Sequence, residues 1–155
     1  MTRQSLILLA MLGSAALLLG AYGFQYIGGM RPCELCWWQR YPHMVAVVIG
    51  LLALILHGRT LPYLGALTAL TSAGIALFHT GVERAWWKGL ESCSGGSIAN
   101  ISVADLLNPA ANVAAPIRCD SVAWEMFGLS MASWNGILSI VLVLIWLSAA
   151  AKPRD

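Results

Sequence analysis

Long runs without any charge are the feature that most constrains how this chain can fold. No Asp, Glu, Lys or Arg occurs in residues 4–30, 41–58, 60–82 or 126–151. A helix needs about 20 mainly apolar residues to cross the hydrocarbon core of a bilayer. Because backbone polar groups in lipid must be paired within the segment, such runs are predicted to be α-helices.

The four runs predict four membrane spans, which cover residues 5–27, 41–57, 61–79 and 134–151. The composition agrees, since 59% of the residues are hydrophobic and only 10% are charged. Soluble domains are nearer a quarter charged. The sequence therefore predicts an all-α polytopic membrane protein in which residues 1–155 form a single four-transmembrane-helix bundle.

The first run has a second interpretation, a secretory signal peptide. Arg3 precedes the apolar stretch, and small residues lie near its end. The apolar core of a signal peptide is typically about 7–15 residues long. This run is longer, which favours a retained membrane span.

The distribution of basic residues predicts the orientation. With four spans, the two termini and the short turn around residue 58 lie on one side, and the loops 28–40 and 80–133 lie on the other. The first side carries four basic residues on very little chain: Arg3, Arg59, Lys152 and Arg154. Short segments rich in Lys and Arg stay in the cytoplasm, although Arg31 and Arg40 oppose this assignment. The termini are therefore predicted to be cytoplasmic.

All four cysteines fall on the outer side of the predicted topology. Cys33 and Cys36 lie in the first loop, and Cys93 and Cys119 lie in the second. A structural zinc site usually joins two pairs of closely spaced ligands, whereas Cys93 and Cys119 are 26 positions apart. Attachment of haem needs a His directly after the second cysteine of C-x-x-C, and Trp37 stands there. No metal site is predicted.

The short spacing of Cys33 and Cys36 favours redox chemistry. A disulfide between them closes a very small loop, so it removes little chain entropy and stabilises little. The alternative, from a different functional class, is a structural membrane protein whose disulfides only staple its outer loops.

Cations flank the C-x-x-C segment, and a nearby cation or helix N-terminus lowers the pKa of a thiol. Arg31 precedes the motif, and Arg40 follows Cys36 by four residues. The two side chains share a helix face if the helix includes both. Pro42 leaves this open: either the helix contains Pro42, or it begins at Tyr41. Arg40 also has the simpler interpretation of a side chain that extends to the membrane interface.

Two stretches of the second loop predict short helices. Asp120 or Ser121 is positioned to cap a turn that carries Trp124, Phe127 and Met131 at helical spacing, which predicts a short helix in the headgroup plane. Residues 102–105 match a capping box, and the helix that it opens would end at Asn108 and Pro109.

Several segments together resemble the disulfide bond formation protein B (DsbB) family. They are Pro32-Cys33-Glu34-Leu35-Cys36, then Gln39-Arg40, then Cys119-Asp120 ahead of Trp124, and finally Gly128-Leu129-Ser130-Met131. Four spans and a second cysteine pair before the last span belong to the same pattern. The resemblance covers nearly the whole chain.

The resemblance implies a thiol:quinone oxidoreductase of the bacterial inner membrane, with its cysteines in the periplasm. Cys93 and Cys119 would form the disulfide offered to a reduced DsbA-like partner, with Cys93 taking the mixed disulfide. Cys33 would exchange with Cys119, and Cys36 would face ubiquinone or menaquinone near Arg40. No nucleic-acid partner is implied. A specialised paralogue that serves one dedicated thiol partner is the alternative within the family.

Histidines and one charged segment complete the expectations from the resemblance. His79 has two interpretations, contact with the quinone or hydrogen bonding at the interface, and Glu83 lies near it at the end of the third span. His43 and His57 receive no role. Residues 83–88 are more charged than the resemblance leads us to expect, which leaves the mode of partner docking open.

Overall fold

Four long helices make up most of the computed structural model, which describes residues 1–56, 58–90 and 117–153. Each helix is long and apolar enough to cross a membrane. The predicted all-α four-helix membrane bundle is confirmed. The helices are α1 (Arg3–Tyr26), α2 (Glu34–Ile55), α3 (Thr60–Glu83) and α4 (Met131–Ala151).

The helices pack as a ring in which each contacts its two neighbours. Helix α1 packs against α2 and α4, helix α3 packs against α2 and α4, and the contact between α3 and α4 is the most extensive. Large apolar side chains such as Leu19, Leu77 and Leu144 cover the outside of the bundle. This outer surface suits lipid, since lipid tails are as apolar as the side chains themselves.

The half of the bundle remote from the cysteines has a tightly packed apolar core. Trp146 is completely buried there, in one cluster with Ile7, Ala10 and Leu142. Gly65 of α3 makes room for the indole ring, because a Cβ atom at this position would lie 2.6 Å from Trp146 Cδ2. Small residues at helix contacts allow this close approach.

Helix α2 begins before Pro42 and includes it. Cys33 is the N-cap, and Glu34 is the first residue of the helix. The proline ring removes one backbone hydrogen bond inside the helix. The sequence left open whether the helix contains Pro42 or begins at Tyr41, and in the structure it contains Pro42. Cys36 and Arg40 therefore lie one turn apart on the same helix.

The predicted short helix that carries Trp124, Phe127 and Met131 is wrong. A two-stranded antiparallel hairpin, with β1 at Glu125–Met126 and β2 at Leu129–Ser130, stands in its place. Phe127 and Gly128 have φ values of 54° and 74°, which form the two-residue turn with positive φ that hairpins favour. Such residues reverse the chain and cannot continue a right-handed helix. The second predicted helix, at residues 102–108, lies outside the described residues.

Side-chain hydrogen bonds attach the hairpin to the ends of α3 and α4. The Trp134 indole N–H donates to the Met126 carbonyl at 3.1 Å, and the Arg84 guanidinium donates to the Gly128 carbonyl at 3.3 Å. The Ser130 hydroxyl donates to the Glu83 carboxylate. The hairpin is therefore held at the cysteine end of the bundle.

Candidate active site

Cys33 and Cys36 lie together at the N-terminus of α2. Both are free thiols, and Cys33 is only 5% exposed. The Cys36 backbone N–H donates to Cys33 Sγ at 3.2 Å, which caps the helix. The two sulfur atoms are 2.8 Å apart, with the Cys33 thiol as the donor.

This arrangement gives the two sulfurs different roles. The hydrogen bond to Cys36, together with burial, raises the pKa of the Cys33 thiol above its usual range. Cys33 therefore keeps its proton. Cys36 receives the hydrogen bond, lies in the first turn of α2 and precedes Arg40 by one turn. Negative charge is stabilised at a helix N-terminus and near a cation, so Cys36 is the sulfur better suited to carry it.

His79 joins the thiol pair from helix α3. Its Nε2 atom is 3.6 Å from Cys33 Sγ and 3.9 Å from a Glu83 carboxylate oxygen. Its Nδ1 atom is 2.8 Å from the side-chain nitrogen of Gln39. Since that amide nitrogen is a donor, Nδ1 is the acceptor and the ring carries its proton on Nε2. The imidazole N–H thus faces the sulfur and the carboxylate.

Arg40 is buried in the bundle rather than extended into solvent, with 7% of its surface exposed. Its guanidinium donates to the Gln25 side-chain oxygen and, at 3.2 Å, to the Ala21 carbonyl. The same group lies 5.0 Å from the centre of the Tyr22 ring and 4.9 Å from that of Trp37. Contacts with two aromatic faces and two oxygens fix the cation one turn below Cys36.

A cavity of about 720 Å³ opens between the helices at this end of the bundle. Its polar lining includes Cys33, Cys36, Arg40 and His79, which are four of the residues that the sequence singled out. Its apolar walls include Ala16, Leu17, Phe24 and Leu138. The volume lies within the range of roughly 300–1,000 Å³ that is usual for pockets binding small molecules.

A buried polar network extends from the thiol pair into the bundle. Asn135 of α4 is its centre: the amide nitrogen donates to the Gln39 side-chain oxygen at 2.7 Å and to the Ser72 hydroxyl at 3.2 Å. The amide oxygen of Asn135 lies 3.1 Å from His43 Nε2. Ser139 lies 3.3 Å from the same nitrogen. The network connects α2, α3 and α4.

Cys119 lies next to the thiol pair although it belongs to the other loop. It is disulfide-bonded and 1% exposed. Its side chain packs in one cluster with Cys33, Leu35 and Val82, and its backbone interacts with the His79 ring. Cys93 lies outside the described residues.

The sulfur atoms of Cys33 and Cys36 and a ring nitrogen of His79 lie within 4.8 Å of one another, which is close enough for all three to bind one metal ion. A tetrahedral zinc ion with bonds of about 2.3 Å would hold two sulfurs about 3.8 Å apart. The observed separation of 2.8 Å is shorter. The separation is nearer to the length of about 2.05 Å of a disulfide bond than to the spacing in a zinc site, so we interpret the two cysteines as a redox pair.

Sequence analysis missed the polar network, and it gave His43 no role. A signal was present, because Gln39 and His43 are four residues apart in α2, and Asn135 and Ser139 are four apart in α4. Residues at this spacing share a helix face. Polar side chains within a membrane span usually face the interior of the bundle and mark functional sites.

Comparison with known proteins agrees with the geometry of the site. The family model described as "Disulfide bond formation protein DsbB" matches residues 3–149. The chain belongs to the DsbB family. No solved structure matches the chain.

Curated relatives of this DsbB-family protein carry the same description. A disulfide bond formation protein B of Methylococcus capsulatus is 33% identical over 135 residues, which is 82% of this chain and 81% of the relative. One from Marinobacter nauticus is 30% identical over an alignment of 170 positions, covering 100% of this chain and 98% of the relative. One from Stutzerimonas stutzeri is 26% identical over 158 positions, covering 92% of this chain and 93% of the relative.

Family membership and the four helices establish the general class of this protein. It is a membrane protein and an oxidoreductase of disulfide bond formation. The family name fits the buried thiol pair, since forming a disulfide in another protein requires a disulfide that can be reduced and then regenerated.

Proposed function

We propose that this protein oxidises the thiols of a periplasmic DsbA-like partner and passes the electrons to a membrane quinone, ubiquinone or menaquinone. One observation carries the proposal. A buried thiol pair lies at a cavity of about 720 Å³ beside Arg40 and His79, and the disulfide-bonded Cys119 packs against it. One side of the pair therefore faces a second disulfide, and the other faces a cavity for a small molecule.

The residues that line the cavity fit a quinone. Its walls are apolar, as a lipid-soluble headgroup requires, and its polar groups concentrate at the end next to Cys36. Arg40, held by α1, supplies a fixed cation. His79 supplies an N–H group close to the sulfurs. When bound, the quinone supplies an acceptor for two electrons and two protons.

The proposed thiol–disulfide exchange between the two cysteine pairs is supported by the presence of Cys119 and Cys33 in one buried cluster. In the oxidised enzyme, a Cys119 thiolate attacks Cys33, and the bond from Cys33 to Cys36 breaks. Cys36 leaves as a thiolate, favoured by the helix N-terminus and by Arg40. Attack of Cys93 on Cys119 then releases Cys33 as a thiol. Two electrons have moved from the loop pair to the C-x-x-C pair.

Reoxidation of the thiol pair completes the cycle. The Cys33 thiol and the Cys36 thiolate lose two electrons and one proton as their disulfide forms. Reduction of the quinone takes up both electrons and two protons, so the second proton comes from solvent, to which Cys119 gave up its proton when it became a thiolate. Arg40 stabilises negative charge on Cys36, because a fixed, buried cation acts more strongly than one in bulk solvent. His79 holds a proton beside Cys33.

The orientation is part of the proposal. We place both termini in the cytoplasm and all four cysteines in the periplasm, because the basic residues concentrate on the short segments at the other end. A membrane-impermeant thiol reagent should label Cys93 in reduced, intact spheroplasts. Labelling that requires lysis would reverse the orientation or refute four spans.

The proposal is tested by purified protein in detergent with a reduced DsbA-like protein and a short-chain ubiquinone. We expect one quinone to be reduced for each disulfide formed in the partner. A Cys93→Ala variant should lose oxidation of the partner while its Cys33–Cys36 pair is still oxidised by quinone. The proposal fails if wild-type protein oxidises the partner over many turnovers without consuming quinone, or if Cys93→Ala oxidises the partner normally.

A further inference from the structure

Glu83 is the only acidic side chain among the described residues that line the cavity. It is the last residue of α3, and its side chain is 6% exposed. Its Oε2 atom accepts a hydrogen bond from the Ser130 hydroxyl, and its Oε1 atom lies 3.9 Å from His79 Nε2. A buried carboxyl group therefore lies close to the redox pair, and the proposed exchange steps do not use it.

No cation neutralises the Glu83 carboxylate. Among the described residues, no Lys or Arg lies within ion-pair distance of it. His79 is neutral, because its Nδ1 atom accepts from Gln39 and its one proton is on Nε2. Helix α4, which packs against α3, contains no acidic or basic residue. The basic residues that line the cavity or adjoin Glu83 have contacts of their own: Arg31, Arg40, Arg84 and Arg118.

Reduction of the Cys33–Cys36 disulfide places a new negative charge near this carboxylate. Cys33 keeps its proton, so the charge is on Cys36. The two sulfurs and a His79 ring nitrogen lie within 4.8 Å of one another, and Glu83 is in contact with the same imidazole. Cys36 and Glu83 interact electrostatically, and they repel each other when both are ionised. Like charges at close range favour binding of a proton by one of the two groups.

The surroundings of Cys36 and Glu83 decide which group binds this proton. The Cys36 sulfur accepts a hydrogen bond from the Cys33 thiol, lies in the first turn of α2 and precedes Arg40 by one turn. All three features stabilise a thiolate. Glu83 is at the C-terminal end of α3, where the helix dipole disfavours a negative charge. The carboxylate is therefore the group that binds the proton.

Ser130 can form a hydrogen bond with either form of Glu83. Its hydroxyl donates to the carboxylate, and its oxygen accepts from the Ser133 backbone N–H at 3.2 Å. The Ser133 hydroxyl lies 3.1 Å from the Ser130 oxygen and 3.1 Å from the Thr80 hydroxyl. When Glu83 carries a proton, Ser130 accepts from it and donates to Ser133 instead, because a hydroxyl both donates and accepts. The two states need no movement of the helices.

We propose that Glu83 binds a proton when the Cys33–Cys36 disulfide is reduced and releases it when the disulfide forms again. This inference rests on the proposed function. Two electrons and two protons enter together: one proton binds to Cys33, the other binds to Glu83, and Cys36 becomes a thiolate. A reduced Cys93–Cys119 pair gives up the same two electrons and two protons, the second proton passing through solvent.

The site then carries one negative charge in both redox states. The charge is on Glu83 when the disulfide is present and on Cys36 when the thiol pair is present. A buried charge has a large free-energy cost, so moving one charge is less costly than adding a second. Oxidation of the pair releases two electrons and two protons, which is the number that reduction of a quinone consumes.

Infrared difference spectroscopy is the direct test, because a protonated carboxyl group and a carboxylate have separate bands. The sample is the full chain in detergent without quinone. Its background is Cys93→Ala/Cys119→Ala, in which Cys33 and Cys36 are the only cysteines. We expect reduction by dithiothreitol to produce a protonated-carboxyl band that Glu83→Gln lacks. Glu125→Gln is the matched control, since Glu125 is an exposed acid of the hairpin, and it should keep the band.

Absence of the band from the parent, or its presence in Glu83→Gln, overturns the inference. If Glu83→Gln does not fold, carbon-13 labelling of glutamate in the parent serves instead. It should shift the band, and an unshifted band overturns the inference.

The second test measures the equilibrium constant between the Cys33–Cys36 pair and dithiothreitol, from about pH 6 to 7.5, where ordinary thiols stay protonated. In the parent, the constant should be nearly independent of pH, because the protein and dithiothreitol exchange equal numbers of protons. In Glu83→Gln the reduced protein binds one proton fewer. The constant should then shift towards the reduced pair by about tenfold for each unit of increasing pH.

The pH dependence also separates this inference from the proposed function. Equal dependence in the parent and in Glu83→Gln overturns the inference and leaves the proposed function in place. A Cys33–Cys36 pair that does not cycle between disulfide and thiols overturns both. Glu125→Gln should behave as the parent does, and a tenfold dependence in this control also overturns the assignment to Glu83.

Discussion

The two halves of the bundle are built from the same four helices and differ in what fills them. The half remote from the cysteines is filled by side chains: Trp146 lies against Gly65, and Ile7, Ala10 and Leu142 complete the cluster. The half near the cysteines encloses a cavity of about 720 Å³, with a hydrogen-bonded network beside it. One half is therefore filled by its own side chains, and the other half has room for a small molecule.

The residues that stabilise the bundle and the residues of the candidate active site therefore lie at opposite ends of the bundle axis. Substitutions in the packed half should change the free energy of unfolding with little effect on turnover per folded molecule. Substitutions in the half with the cavity should lower turnover per folded molecule with little effect on the free energy of unfolding.

Replacement of Cys36 by Ala should have the largest effect on activity. The variant cannot form the C-x-x-C disulfide, so we expect turnover to fall by about 10⁴-fold or more, the scale of losing a covalent nucleophile. The thermal unfolding midpoint should stay close to that of the wild-type protein, because Cys36 lies outside the tightly packed core. Partner-driven quinone reduction is the measurement. Residual turnover within tenfold of wild type would show that electrons bypass Cys36.

Trp146→Ala should have the largest effect on stability. Removing a fully buried Trp leaves a cavity and costs about 3–5 kcal/mol. Unfolding in detergent, titrated with a denaturing surfactant, measures the loss. Trp86→Ala is the control, since this indole is exposed and its removal should be nearly neutral. Loss of turnover per folded Trp146→Ala molecule would contradict the separation of the two halves.

Arg40 should affect the quinone step and little else. Its guanidinium is a buried cation that lines the cavity, so we expect Arg40→Ala to raise the KM for quinone by about 10–100-fold, the scale of losing one hydrogen bond to a charged group. Arg40→Lys keeps the charge but loses the planar fork of donors, and should keep part of the activity. Steady-state turnover at varied quinone concentration measures this effect.

Single-turnover oxidation of the partner without quinone is the control for Arg40. It should be the same in both variants and in wild type, because we propose that this exchange takes place at Cys93 and Cys119. An unchanged KM in Arg40→Ala would assign Arg40 to packing alone.

The smallest effect is expected at the exposed ion pair next to Cys119. Two bonds of 2.8 and 2.6 Å from the Arg118 guanidinium hold the pKa of Asp120 below its usual range. Such a carboxylate contributes stability above its ordinary pKa and loses that contribution as the pH falls through the lowered value. Because the Arg118 side chain is exposed and the ion pair is open to solvent on that side, Arg118→Ala should leave the unfolding midpoint unchanged at neutral pH. A clear drop would show that the pair anchors Cys119.

The sequence predicted the helices well, because a span depends on local composition. An uncharged run of about 20 apolar residues has few alternatives to a helix in lipid. The hairpin at Phe127 and Gly128 was missed because Trp124, Phe127 and Met131 match helical spacing. The positive φ of Phe127 is unusual for a residue with a Cβ atom, so a Phe at this position does not predict a turn.

The site was predictable only in part, because its residues meet through the packing of different helices. Cys33, Cys36 and Arg40 are close in sequence, and their motif was readable. The contacts of Gln39 with His79 and Asn135 join segments 40 and 96 residues apart. No spacing within one helix reveals such contacts. The roles of the four cysteines stay predictions.

The cap of helix α2 connects the redox state of the site to its architecture. The acceptor that satisfies the Cys36 backbone N–H is the sulfur of Cys33, not a Ser or Asp oxygen. In the proposed function, this sulfur is also the atom that changes bonds when it exchanges with Cys119. On that proposal each catalytic cycle remodels the first turn of a membrane helix, and the amide of Cys36 then reports the electron count at the site spectroscopically.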